Sequence, residues 1–179
     1  IKLHISILLA GFTGLFGKLI TLNEGLLVWY RMMFAAVLLF TILKISNKLQ
    51  PIPLKEQLKI AGTGFILGLH WVFFYGSIKM SNVSVGVVCF SLVGFFTALL
   101  EPLLIRRRFK IKELLFSLIT VAGILLIFRF DMRYRSGIII GIISSALAAL
   151  FTITNKKVGA HHPSRIMLLY EMAGGFLGL

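Results

Sequence analysis

The 179-residue chain is 58% hydrophobic and 14% charged, with a formal net charge of +13, where soluble domains run at about 45–50% apolar and about 25% charged. That balance excludes a soluble domain. Nucleic acid is excluded as the reason for the basicity, because the cations collect in short connections between long apolar runs, where anionic lipid accounts for them.

Six mostly apolar stretches are each about the length that crosses a ~30 Å hydrocarbon core at about 1.5 Å per residue. In chain order they are Leu3 to Lys18, Leu26 to Leu43, Ile60 to Ile78, Val83 to Ile105, Leu114 to Phe130 and Gly137 to Thr154. A seventh begins near Ser164, and Ile1 at the start with Leu179 inside an apolar run points to a fragment of a longer protein. The first span lacks the ordered charged head, apolar centre and small-residue cleavage site of a signal peptide, so it reads as a retained helix. Asn23, Asn82 and Ser164 stand where they can cap spans two, four and seven.

Most of the 19 basic residues fall on one side of this pattern. Lys44, Lys48, Lys55 and Lys59 follow span two, Arg106, Arg107, Arg108, Lys110 and Lys112 follow span four, and Lys156, Lys157 and Arg165 follow span six. The other side carries Lys18, Lys79, Arg129, Arg133 and Arg135, so the N-terminus and the even-numbered connections are expected in the cytoplasm.

Small residues four apart mark faces where helices can approach closely. Such rows are Gly137, Gly141, Ser145 and Ala149 on span six, Gly64 and Gly68 on span three, Gly94 and Ala98 on span four, and Gly174 and Gly178 on span seven. Cys89 is the one cysteine and reads as a small packed side chain. GFTGLFGK, Gly11 to Lys18, lacks the glycine and the Ser or Thr of a phosphate loop, and the pair His161-His162 has no spaced partners for a closed metal site. No cofactor or metal is expected, and no nucleophile, base and orienting group stand in one arrangement.

Phe12-Thr13 with Lys18 is echoed by Phe151-Thr152 with Lys157, and Tyr30-Arg31-Met32 by Tyr170-Glu171-Met172, at a spacing of about 140 residues. A unit of five spans repeated once must enter the membrane from opposite sides. This gives an inverted repeat, an architecture of secondary transporters, of about ten helices and roughly 280 to 300 residues when complete. The expected fold is therefore an all-α integral membrane bundle of inverted five-helix repeats. Residues 1–130 form the first repeat and 137–179 the start of the second.

The stretch LHWVFFYGSIKMSNVSVGVVCFSLVGFFTALLEPLLIRRRFKIKELLFSLITVAGILLIF, Leu69 to Phe128, resembles the EamA domain of the drug/metabolite transporter superfamily. The likeness is close over helices three to five and looser from the first helix into a second repeat at Gly137. It implies ten helices, both termini cytoplasmic, a central cavity lined by the first four helices of each repeat, and a peripheral fifth helix. Many members carry Pro near the middle of the fourth helix, where this chain has Gly94, with Pro102 after Glu101 further on.

Arg31 lies about seven residues into its helix, ~10 Å below the outer surface. It either snorkels to the headgroups or faces the cavity toward an anionic or zwitterionic solute, since facing lipid at depth costs at least ~2.5 kcal/mol. Trp71 and Tyr75 share one face of span three and either line a cavity or pack; His70 is a substrate contact or proton relay, or else bonds a carbonyl across a helix interface. Ser91, with Ser84 on the same face, is a polar cavity candidate or a helix contact. Glu101 forms an interfacial ion pair with Arg106, Arg107 and Arg108 or gates a cavity mouth. Glu171, the counterpart of Arg31, brackets a substrate with it, carries a coupling proton, or snorkels.

The resulting expectation is a multi-pass protein of a bacterial inner membrane, a non-enzymatic exporter of small metabolites working by alternating access. Proton coupling and homodimerisation stay open. The rival readings are an intramembrane enzyme acting on lipid-linked substrate, with His70 and Glu101 as acid and base, and a non-transporting scaffold.

Overall fold

The computed structural model describes residues 2–106, 108–128, 132–159 and 162–179, and their regular structure is helical throughout. The helices are α1 (Lys2–Leu19), α2 (Glu24–Ile45), α3 (Leu54–Met80), α4 (Val83–Phe90), α5 (Val93–Ile105), α6 (Ile111–Phe128), α7 (Arg135–Val158) and α8 (Ser164–Gly178), with a 3₁₀ turn at Met132–Tyr134 before α7. Among the described residues α2, α3, α4 with α5, and α7 are each long and apolar enough to cross a membrane. The helices at the expected first and fifth spans, α1 and α6, have 18 residues each. Arg107, Arg129, Phe130 and His161, to which the sequence reading assigned charge, a span end or a histidine pair, lie outside the described residues.

Helix starts follow local chemistry. The Asn23 side chain accepts a hydrogen bond from the Gly25 amide at 2.9 Å, and that of Asn82 accepts from Val85 at 2.9 Å. Each satisfies an amide that the first turn cannot. Ser164 is a correction: it is the first residue of α8, the cap position is Pro163, and no side-chain cap bond forms. Proline suits this boundary because its fixed φ leads into the helix without side-chain help.

The fourth span keeps its expected bounds, Val83 to Ile105, but is built of two helices with a turn at Ser91 and Leu92. The amides of Ser91 and Leu92 reach back only three residues, to the carbonyls of Val88 at 3.2 Å and Cys89 at 3.0 Å. The Ser91 hydroxyl also donates to Val88 O at 2.6 Å, and Ser145 of α7 donates to Cys89 O at 2.7 Å. Serine donors occupying these carbonyls compete with the regular ladder and tighten it into a 3₁₀ turn. No proline is needed.

Helix α3 is the centre of the assembly, packed against α7, α8, α2 and α4. It runs antiparallel to α7: Ser77 donates to Gly137 O at 2.7 Å at one level, and Ser144 donates to His70 O at 3.0 Å further along. Glycines set the closeness of these contacts. A Cβ on Gly141 would lie 2.7 Å from the Cys89 Cβ and 2.8 Å from the Ser77 hydroxyl, and one on Gly64 would fall on the backbone of Glu171. The rows on spans three, six and seven are contact faces; the row at Gly94 is not, because Gly94 is exposed with open space where a side chain would stand.

The outer surface is apolar. Helix α6 packs chiefly against α5 and exposes Leu115, Phe116, Ile119, Leu125 and Leu126. A contiguous apolar surface on this scale needs lipid or protein against it.

Candidate functional site

Arg31 is held between two helices by its neighbours on α3. Its guanidinium carbon lies 3.3 Å above the centre of the Trp71 ring, and Nη1 donates to the Tyr75 hydroxyl at 2.6 Å. Trp71 and Tyr75 share a face because they are four residues apart on α3. The cation is thereby turned inward to α3. Stacking on an aromatic face and a hydrogen bond to a phenol are the interactions a weakly hydrated guanidinium makes well at low polarity.

The cluster borders a cavity of about 300 Å³ lined by Gly11, Thr13 and Gly14 of α1, Arg31 of α2, His70, Trp71, Phe74 and Tyr75 of α3, and Val87 and Phe90 of α4. Arg31 and Tyr75 also border a second cavity of about 430 Å³, reached past Phe16, Ile20 and Tyr30. One polar edge in a mostly apolar, aromatic wall is the usual make-up of a small-molecule site. Every wall comes from the first four expected spans.

His70 is buried, 5% exposed, with Nδ1 2.9 Å from both the carbonyl and the hydroxyl oxygen of Ser144. A carbonyl only accepts, and the Ser144 hydroxyl donates to His70 O, so Nδ1 carries the hydrogen and the neutral ring keeps Nε2 as an acceptor. The bond across a helix interface is present, and the ring also stands among Phe74 and Phe90 at the cavity.

Glu171 is elsewhere. It is 3% exposed, its backbone meets Gly64, and Oε1 has no partner among the described residues. It borders a cavity of about 620 Å³ with Thr152, Asn155, Lys156 and His162. Trp71 lies seven residues beyond Gly64 on α3, roughly 10 Å at about 1.5 Å per residue, and Arg31 and Glu171 border different cavities.

Two further expected residues stand apart. Ser91 is exposed at the helix break and does not border the Arg31 cavity, because its hydroxyl is turned to Val88 O. Glu101 makes an ion pair at the expected end of its span, and its described partner comes from α7: Lys156, at 2.8 Å. Arg108 borders the same small cavity of about 90 Å³. Sequence reasoning missed Phe90 and Val87 as cavity walls, Ser144 as the anchor of His70, and the approach of His162 Nε2 to Glu56 at 3.5 Å. Ser91 in FSLVG was the available signal for the break.

A transporter-like helical bundle with an inward cation at a cavity finds its match in a family model, EamA-like transporter family, over residues 2–129. The chain belongs to this family. No curated protein and no solved structure matches it. Membership in a family of transporters makes this a multi-pass membrane protein concerned with small solutes, and the matched segment ends just before the 3₁₀ turn that leads into α7.

Proposed function

We propose that the protein is a secondary transporter exporting small amphipathic metabolites, amino-acid-like ones among them, across a bacterial inner membrane by alternating access between inverted five-helix halves. The observation that carries the reading is the cavity between α1 and α4 that gathers Arg31, His70, Trp71 and Tyr75. Residues 1–130 are then the first half and 137–179 the start of the second, with the N-terminus cytoplasmic by the distribution of basic residues.

The contact of α2 with α8 supports the inversion. Trp29 and Phe176 meet with ring centres 4.7 Å apart. A two-fold relation at the spacing of about 140 residues exchanges this pair for Leu169 and Ala36, and both of those border one cavity of about 360 Å³. Met32 and Met172, which follow Arg31 and Glu171, share a packed cluster. Glu171 then serves as the proton-coupling residue: its carboxyl is buried with one oxygen unpartnered, beside a cavity at the basic, cytoplasmic end.

The intramembrane enzyme reading loses its acid–base pair, since His70 and Glu101 border different cavities. Reconstitution of the protein in proteoliposomes tests the transport reading. Solute release that Arg31→Ala and His70→Ala abolish, without chemical change of the solute, is the expected result; release untouched by both substitutions sinks it.

A further inference from the structure

Arg31 is a cation whose counterion the described chain does not supply. Glu24 pairs with Lys79, Glu56 with Lys59 and His162, Glu101 with Lys156, and Glu113 with Lys110. The remaining described carboxylate, Glu171, meets α3 at Gly64, seven residues and roughly 10 Å of helix rise from Trp71, and borders neither cavity of Arg31. Of the five N–H donors of the guanidinium, the structure commits one, to Tyr75. The guanidinium carbon sits 3.3 Å over the Trp71 ring, and the donors that Tyr75 does not take up are open to a ligand. A planar fork held in one orientation matches a carboxylate with two parallel hydrogen bonds.

The surroundings define the rest of the ligand. Phe74, Phe90, Val87 and the edge of Trp71 make an apolar wall. Neither cavity that Arg31 borders is lined by Asp or Glu, so neither offers a partner for an amine. We propose that this site selects organic monocarboxylates with an apolar, preferably flat, body, binding the carboxylate through Arg31 and the body against Trp71, Phe74 and Phe90. The inference rests on the transporter reading and narrows it, from amphipathic solutes in general to organic anions without a required amine. A lipid phosphate offers Arg31 similar oxygens, and the experiment separates the two.

The full chain in phosphatidylcholine nanodiscs is titrated calorimetrically with 3-phenylpropionate, its neutral amide, phenethylamine and inorganic phosphate. The acid is expected to bind at least about tenfold more tightly than the amide or the amine. Arg31→Gln should erase that preference, Arg31→Lys should keep part of it, and Trp71→Leu should weaken the acid and the amide together. Tyr75→Phe, which keeps the charge but frees the guanidinium, should reduce the preference, and it decides the matter if Arg31→Gln fails to fold. Equal binding of acid and amide overturns the proposal, as does a preference that survives Arg31→Gln. Inorganic phosphate displacing the acid, together with loss of acid binding in phosphatidylglycerol nanodiscs, assigns Arg31 to a lipid headgroup and also overturns it. Solute flux in proteoliposomes without any acid preference refutes the carboxylate site and leaves transport standing, whereas acid preference without flux of any solute does the reverse.

Discussion

Arg31 and Glu171 show how single polar groups are tolerated at membrane depth. The arginine is held by a ring face and a phenol, the glutamate by burial against the glycine face of α3. Tyr75→Phe removes one hydrogen bond to a charged group, worth about 1.5–3 kcal/mol, and should raise the KM of the transported solute by roughly tenfold or more. Uptake kinetics in proteoliposomes check this, and an unchanged KM would take Arg31 out of the solute path. Glu171→Gln keeps the shape and removes the titratable group. It is expected to preserve solute exchange at equal concentrations while abolishing accumulation driven by a proton gradient, with both assays run on one preparation. Proton-driven accumulation that persists would move the coupling role away from this residue.

Helices in this bundle meet through glycines, and the contacts differ in what they tolerate. Gly64→Ala places a methyl on the backbone of Glu171, where neither partner is a flexible side-chain end, and should destabilise by about 1–3 kcal/mol. Gly94→Ala meets open space and should be neutral or stabilising by up to about 1 kcal/mol. Unfolding midpoints in detergent measure both. A Gly64 variant as stable as the parent would mean that α3 and α8 are further apart than described. The break between α4 and α5 belongs to this scale as well, because serines on two helices, Ser91 and Ser145, take the carbonyls that shape it. Broken helices inside a membrane are tolerated where protein rather than lipid faces the freed groups. Here Ser145 of α7 is that protein.

For the whole molecule, α3 and α7 pair antiparallel, and the distribution of basic residues predicts which side faces the cytoplasm. In a Cys89→Ala background, Met80→Cys should react with an impermeant thiol reagent from outside intact cells, and Lys48→Cys only after the membrane is opened. The reverse pattern would invert the topology, placing the Arg31 cavity nearer the cytoplasm. Glu24, Lys79 and the Leu22 carbonyl tie the start of α2 to the end of α3, since Lys79 reaches both partners.

The long apolar spans of α2, α3, α4 with α5, and α7, the caps at Asn23 and Asn82, the shared face of Trp71 and Tyr75, and the glycine faces of α3 and α7 were legible along the chain. Each depends on neighbours within a turn or two, or on a composition that water or lipid reads one helix at a time. The meeting of Arg31 with the Trp71 face was not legible, nor were Lys156 with Glu101, Ser144 with His70, or the bend of span four. Those depend on how far each helix is rotated and how closely it approaches its neighbours, and such distances come from side chains interlocking across helices far apart in sequence. For the same reason the echo of Tyr30-Arg31-Met32 in Tyr170-Glu171-Met172 could be seen along the chain, while the separate cavities that Arg31 and Glu171 border came only from the packing of α3 between them.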